Sequence, residues 1–271
     1  MTDLPAPRLS GWALVLGASS GFGAATAVAL AEAGCDVFGV HLDRRATQAN
    51  ADRVAADVQA RGRRAALFNV NAADPERRAE VVEAMARTLA ERGERGRLRV
   101  LLHSLAFGTL KALVADDPKD AVSASQMAMT VDVMAHSLVY WTQDVVGRGL
   151  MGAGGRIFAM TSSGGTHALP CYGAVSAAKA ALEAHVRQLA VELAPRGITA
   201  NAIRAGVTAT PAALKIPGYE ALEENARRRN PSGRLTTPAD VARAVVLLAH
   251  PHSAWITGNV IGVDGGEDVT G

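Results

Sequence analysis

Short apolar runs alternate with longer amphipathic stretches along the whole 271-residue chain. Residues 12–16, 37–42, 65–70, 100–103, 156–160, 199–203 and 260–263 have the length and composition of buried strands. Between them, residues 22–33, 46–60, 75–92, 124–148, 172–193 and 238–249 read as helices. Two helix starts are marked by a cap residue and a proline, Asp74-Pro75-Glu76 and Thr237-Pro238-Ala239-Asp240. A repeated strand–helix order predicts a single α/β domain: a Rossmann-type, doubly wound parallel sheet in three αβα layers. Residues 207–235 break the alternation with Pro211, Pro217, Gly218, Pro231 and Gly233. An excursion of that length predicts a mobile lid over a substrate.

Composition narrows the function classes. The chain is 49% hydrophobic and 4% aromatic, enough for one full core. Its 28 Lys and Arg against 26 Asp and Glu are scattered, which argues against nucleic acid as a partner. Cys35 and Cys171 fit no disulfide framework and no metal spacing, so no metal is expected. The opening Met1-Thr2-Asp3-Leu4-Pro5 carries no signal-like segment and no apolar run reaches membrane-spanning length, which together predict a cytoplasmic protein without a membrane partner.

Two motifs carry chemistry. The first strand is followed by Gly17-Ala18-Ser19-Ser20-Gly21-Phe22-Gly23 and then by an alanine-rich helix. Glycines there let the backbone approach a pyrophosphate, whose charge suits the free N–H groups of a helix start. The second motif is Tyr172-Gly173-Ala174-Val175-Ser176-Ala177-Ala178-Lys179. Seven helical residues turn about 700°, which places Tyr172 and Lys179 on one face two turns apart. The phenol can donate to a developing oxyanion, and the lysine can hold a cofactor ribose and lower the phenol's pKa. An alanine-rich helix can also carry such a pair with no chemistry attached, so the assignment depends on the rest of the chain.

With Asn201-Ala202-Ile203-Arg204-Ala205-Gly206 before the excursion and Thr257-Gly258-Asn259 through Asp264-Gly265-Gly266 near the end, the chain resembles the short-chain dehydrogenase/reductase superfamily over nearly its whole length. Leu16 stands where that superfamily usually has a threonine. Within it, the chain looks most similar to the enoyl-acyl-carrier-protein reductases. Common members place the tyrosine four residues before the lysine, where this chain has Val175, and their helical asparagine aligns with Met134. Leu102-His103-Ser104-Leu105-Ala106-Phe107 replaces their Asn-Asn-Ala-Gly turn with an enoyl-reductase-like sequence.

The resemblance implies a catalytic set of Tyr172, Lys179 and Ser162, the serine orienting the substrate carbonyl. It implies a cofactor path along Gly17, Ser19, Ser20, Gly21, Phe22 and Gly23, then Asn69, Val70, Ser104, Leu105, Ala106 and Lys179. The path also takes in Ala205 and Gly206, and Val207 and Thr210 match the groups that hold the carboxamide and pyrophosphate. Coenzyme choice falls to His41-Leu42-Asp43-Arg44-Arg45. The usual acidic position aligns with His41 and two arginines follow, which favours NADPH over NADH, while Asp43 is an acceptor for a free ribose. His103 is expected to pack under the cofactor, His136 and His185 to fill core or subunit contacts, and His167 to stand on the loop near the substrate. Arg227-Arg228-Arg229 reads as a solvated helix face or a contact for an acidic carrier protein.

The reaction expected is NAD(P)H-dependent reduction of the 2,3 double bond of an enoyl thioester in fatty acid biosynthesis, the acyl chain carried by an acyl carrier protein and the enzyme a homotetramer. A ketone or alcohol oxidoreductase, such as a 3-ketoacyl thioester reductase or a hydroxysteroid dehydrogenase, is the alternative that the ordinary serine at 162 keeps open. A non-catalytic dinucleotide sensor is a further one.

Overall fold

Seven strands lie parallel in one sheet ordered β3-β2-β1-β4-β5-β6-β7: β1 (Trp12–Leu16), β2 (Asp36–His41), β3 (Ala65–Asn69), β4 (Leu98–His103), β5 (Arg156–Ser162), β6 (Thr199–Ala205) and β7 (Val260–Val263). The computed structural model describes residues 8–94 and 96–270, so the opening pentapeptide read for targeting lies outside the described residues. Every residue of β1 is buried, as a central strand covered on both faces requires, whereas β7 at the edge alternates exposed and half-buried positions.

Helices α1 (Gly21–Ala33), α2 (Gln48–Ala60) and α8 (Pro238–Ala249) cover one face, where Leu30, Val54, Val58, Val241 and Val245 pack on Val15, Val37 and Leu102. On the other face lie α3 (Pro75–Glu91), α5 (Ser137–Gly147) and α6 (Gly173–Leu193), with Met85, Leu89, Trp141, Leu182 and Val186 packed on Leu14, Phe38 and Ile157. The three layers are those predicted. Both marked helix starts are capped: Asp74 accepts from the N–H groups of Glu76 and Arg77, and Thr237 forms a reciprocal box with Asp240.

Three expectations are modified. The helix expected over 124–148 is interrupted: α4 (Ala124–Val131) and α5 are joined by a π turn, Asp132–His136. Ser137 Oγ donates to the Val133 carbonyl inside it at 2.8 Å, a side-chain bond that substitutes for the regular ladder. Tyr172 is not inside a helix but at the N-cap of α6, directly after Cys171, whose φ of 58° is left-handed. The excursion 207–235 carries its own secondary structure, a short turn Ala213–Lys215 and helix α7 (Tyr219–Arg229). Among the described residues no helix is long and apolar enough to cross a membrane.

Candidate active site

Where strand order reverses, between β1 and β4, a crevice opens beyond the carboxyl ends of the strands. The glycine turn enters it from β1. Gly17 has φ +87°, and a methyl group there would lie 2.4 Å from the Ser104 carbonyl oxygen; one on Gly23 would lie 2.0 Å from the Gly17 oxygen. Only glycine fits either position. No side chain caps the start of α1 and no acidic residue lies in its first turn, so its N–H groups are left as donors for a pyrophosphate. Thr210 closes over this turn, its Cγ2 within 3.3 Å of where a Gly21 methyl would sit. These features fit a dinucleotide.

At the end of β2 the charges sort by depth. His41 is buried and its Nδ1 lies 2.8 Å from Asp43 Oδ2. Burial of Asp43 opposes ionisation, but hydrogen bonds with Thr47, Ser19 and His41 outweigh it and hold the carboxyl below its ordinary pKa. His41 therefore reaches the cofactor region through Asp43. Asn69 ties this loop to β3: it accepts from the Asp43 N–H and donates to the Asp43 carbonyl and to Gln48. Val70 donates to the His41 carbonyl, and Arg44 and Arg45 are exposed.

A cavity of about 590 Å³ holds the other predicted residues together: Phe22, Ser104, Leu105, Ala106, Ser162, Tyr172, Lys179, Ala205, Gly206, Val207 and Thr210 all line it. Ser162 Oγ and Tyr172 Oη stand 3.4 Å apart. Lys179 is buried and donates to the Met160 carbonyl at 2.7 Å. Burial pulls its pKa down to about 8 against the opposing charge of Glu183. Burial also raises the Tyr172 phenol above its ordinary value, with Ser162 acting in the other direction. The expectation that Lys179 would lower the phenol is corrected: desolvation dominates, and Tyr172 is a neutral hydrogen-bond donor at physiological pH.

Val175 and Met134, which stand where common members carry tyrosine and asparagine, face each other across Gly108. A methyl on Gly108 would meet Met134 Sδ at 2.9 Å and Val175 Cγ2 at 3.0 Å. Both belong to one apolar cluster with Tyr172. The two replacements read from sequence are thus one packing event.

His103 is fully buried, 2.8 Å from Ser137 Oγ through Nε2, and burial together with the Lys179 charge pushes its pKa to about 3. It is a neutral support beneath the site. His136 and His185 pair with each other at 2.9 Å. His167 lines the cavity from the loop after β5, with Nδ1 4.0 Å from Asp268, which also binds Arg204 at 2.9 Å. Arg227 and Arg228 bond within α7, whereas Arg229 lines the cavity and donates twice to the Thr270 carbonyl.

Sequence reasoning missed two groups. Glu267 accepts from the Val207 N–H through both oxygens, at 3.3 and 3.1 Å, and burial raises its pKa. No local signal joins residues sixty positions apart. Gly164 makes room for the Tyr172 ring, since a methyl there would lie 2.5 Å from Cε1. Its place in Ser162-Ser163-Gly164-Gly165 was a legible clue. Gly164→Ala is expected to displace the phenol and cut turnover by about 10-fold or more while the protein stays folded, as a 1 Å misplacement of a reacting group does. Unchanged turnover with an unchanged circular dichroism spectrum would remove Gly164 from this role.

Residues 17–267 match a family model described as Enoyl-(Acyl carrier protein) reductase. An enoyl-[acyl-carrier-protein] reductase [NADH] of Nostoc is 35% identical, covering 65% of this chain and 67% of its own. A 3-oxoacyl-[acyl-carrier-protein] reductase of Thermotoga maritima is 29% identical over 93% of this chain and 96% of its own. Among solved structures, a promiscuous reductase that catalyses keto-reduction at C1 during lugdunomycin biosynthesis is 33% identical, with a TM-score of 0.82, covering 97% of this chain and 99% of that one.

Proposed function

The chain belongs to the short-chain dehydrogenase/reductase superfamily and is an NAD(P)H-dependent oxidoreductase of that fold, and we propose that it reduces the 2,3 double bond of enoyl thioesters. One observation carries this reading: the tyrosine hydroxyl that meets Ser162 enters from Tyr172 at the N-cap of α6, while the position one turn before Lys179 is Val175, packed with Met134. The nicotinamide supplies hydride when bound. Hydride added to the β-carbon leaves negative charge on the thioester oxygen, three bonds further along the substrate, and a proton taken up at the α-carbon completes the reduction. Tyr172, neutral and buried, donates to that oxygen, and Ser162 holds the same carbonyl. Lys179 would hold the nicotinamide ribose. The apolar wall of Leu110, Met134, Leu169, Val175 and Ile216 excludes water and suits an acyl chain. An acyl-carrier-protein thioester and a homotetrameric enzyme belong to the same proposal.

A second reading is reduction of a ketone to an alcohol. It is favoured by the convergence of Ser162 and Tyr172 on one point, where a substrate ketone could accept from both. The relatives and structures that span nearly the whole chain support it more broadly than the enoyl reading. Steady-state rates with crotonyl and acetoacetyl thioesters, each tried with NADPH and NADH, separate the two. Faster crotonyl reduction supports the first reading; faster acetoacetyl reduction overturns it in favour of the second.

For the coenzyme we propose NADPH, because Arg44 and Arg45 are exposed while the Asp43 carboxylate is engaged by His41, Thr47 and Ser19. Changing both arginines to Ala is expected to raise KM for NADPH by about 10-fold and leave NADH nearly unchanged. Equal effects on both coenzymes would make the arginines structural.

A further inference from the structure

Behind the reacting groups lies an acidic side chain that the reaction as described does not use. Glu183 follows Lys179 by four residues on α6, so the two side chains share a face one turn apart. Its carboxylate is anchored from the sheet, because Thr161 Oγ1 donates to Glu183 Oε1 at 2.7 Å. Thr161 lies between Met160, whose carbonyl receives the Lys179 ammonium, and Ser162. Gly165 roofs the pair: a methyl there would sit 3.3 Å from Lys179 Cβ and 3.5 Å from Glu183 Oε1. Lys179 on the Met160 carbonyl and Glu183 on Thr161 thus form two anchored pairs side by side behind the phenol.

We propose that Glu183, held by Thr161, is a positioning residue that keeps Lys179 charged and seated behind the reaction centre. The inference rests on the ribose-holding role given to Lys179 above. A buried ammonium with a single carbonyl acceptor needs a countercharge. The other titratable groups near it do not supply one. His103 on β4 is a buried neutral imidazole, and Tyr172 at the start of α6 is a neutral phenol. In the C-terminal segment, Asp268 is engaged by Arg204 and Glu267 by the Val207 N–H.

The sign of the effect is fixed. A negative charge favours the protonated lysine, so its removal lets the proton leave at lower pH. The test is the pH profile of kcat/KM between about pH 6 and 10 for the full-length wild type, E183Q, E183D and T161V, with reduced-cofactor affinity followed by fluorescence over the same range. E183Q is expected to move the alkaline limb of both profiles down by about 0.5–1 pH unit. T161V should move it less in the same direction, and E183D should return it toward the wild-type position. A limb that stays in place in E183Q, or a uniform loss at every pH, would overturn the inference. Should E183Q not fold, a T161V limb at the wild-type position overturns it equally. If activity is indifferent to Lys179→Met, the role given to Lys179 fails; if it needs Lys179 but ignores Glu183, only the present inference does.

Discussion

Replacing Tyr172 by Phe is expected to lower turnover by about 10² or more and to leave folding and reduced-cofactor affinity near the wild-type values. The substitution removes one hydroxyl and little volume. The ring stays packed with Val175 and Met134 above Gly164. What is lost is the donor facing the developing oxyanion, and a buried donor of this kind contributes about 2.7–4 kcal/mol to the barrier in related chemistry. Ser162, 3.4 Å from the phenol oxygen, remains to give residual activity. KM should move little, since the interaction is strongest in the transition state. Turnover within a factor of two of wild type on whichever thioester proves the better substrate would remove Tyr172 from the mechanism.

Lys179→Met should separate stability from function. Its ammonium is buried, and burial brings its pKa from 10.5 down to about 8, so the native state bears a cost whenever the lysine is charged. A shift of that size corresponds to roughly 3 kcal/mol, and the donor that the Met160 carbonyl loses offsets about 1 kcal/mol of the gain. Lys179→Met is therefore expected to be more stable by about 1–2 kcal/mol in urea unfolding at pH 7. The folded pKa lies below the unfolded one, so this advantage is full below about pH 8 and fades as pH rises toward 10.5. The same variant should lose about 10-fold in reduced-cofactor affinity and 10² or more in turnover, because the ribose clamp is gone. Unchanged cofactor affinity would show that Lys179 does not hold the ribose. A destabilised variant would show that the native state gains more from the Met160 contact than it loses by burying the charge.

Sequence alone was enough for the architecture, because burial on both faces writes strands as continuous apolar runs and helices as amphipathic ones. The capped starts at Asp74 and Thr237 were legible for the same local reason, a side-chain oxygen placed within reach of the next free N–H groups. The glycine turn was legible too, since only glycine tolerates the approach of Gly17 to Ser104 and of Gly23 to Gly17. Of the residues singled out from sequence, Ser162, Tyr172, Lys179 and the segment Ser104-Leu105-Ala106 line one cavity, but their physical states could not be read from the pattern. Helical spacing placed Tyr172 and Lys179 together and suggested a charge-lowered phenol, whereas the fold sets Tyr172 at an N-cap and buries it, so desolvation governs its pKa. Met134 and Val175 looked like separate departures and meet across Gly108; Glu267 gave no sign of its bond to Val207. Local pattern records which backbone conformation a residue favours and which face it presents. Contact between positions forty to sixty residues apart, and the loss of water around a charge, exist only once the helices have closed on the sheet, and those two decided the chemistry of this site.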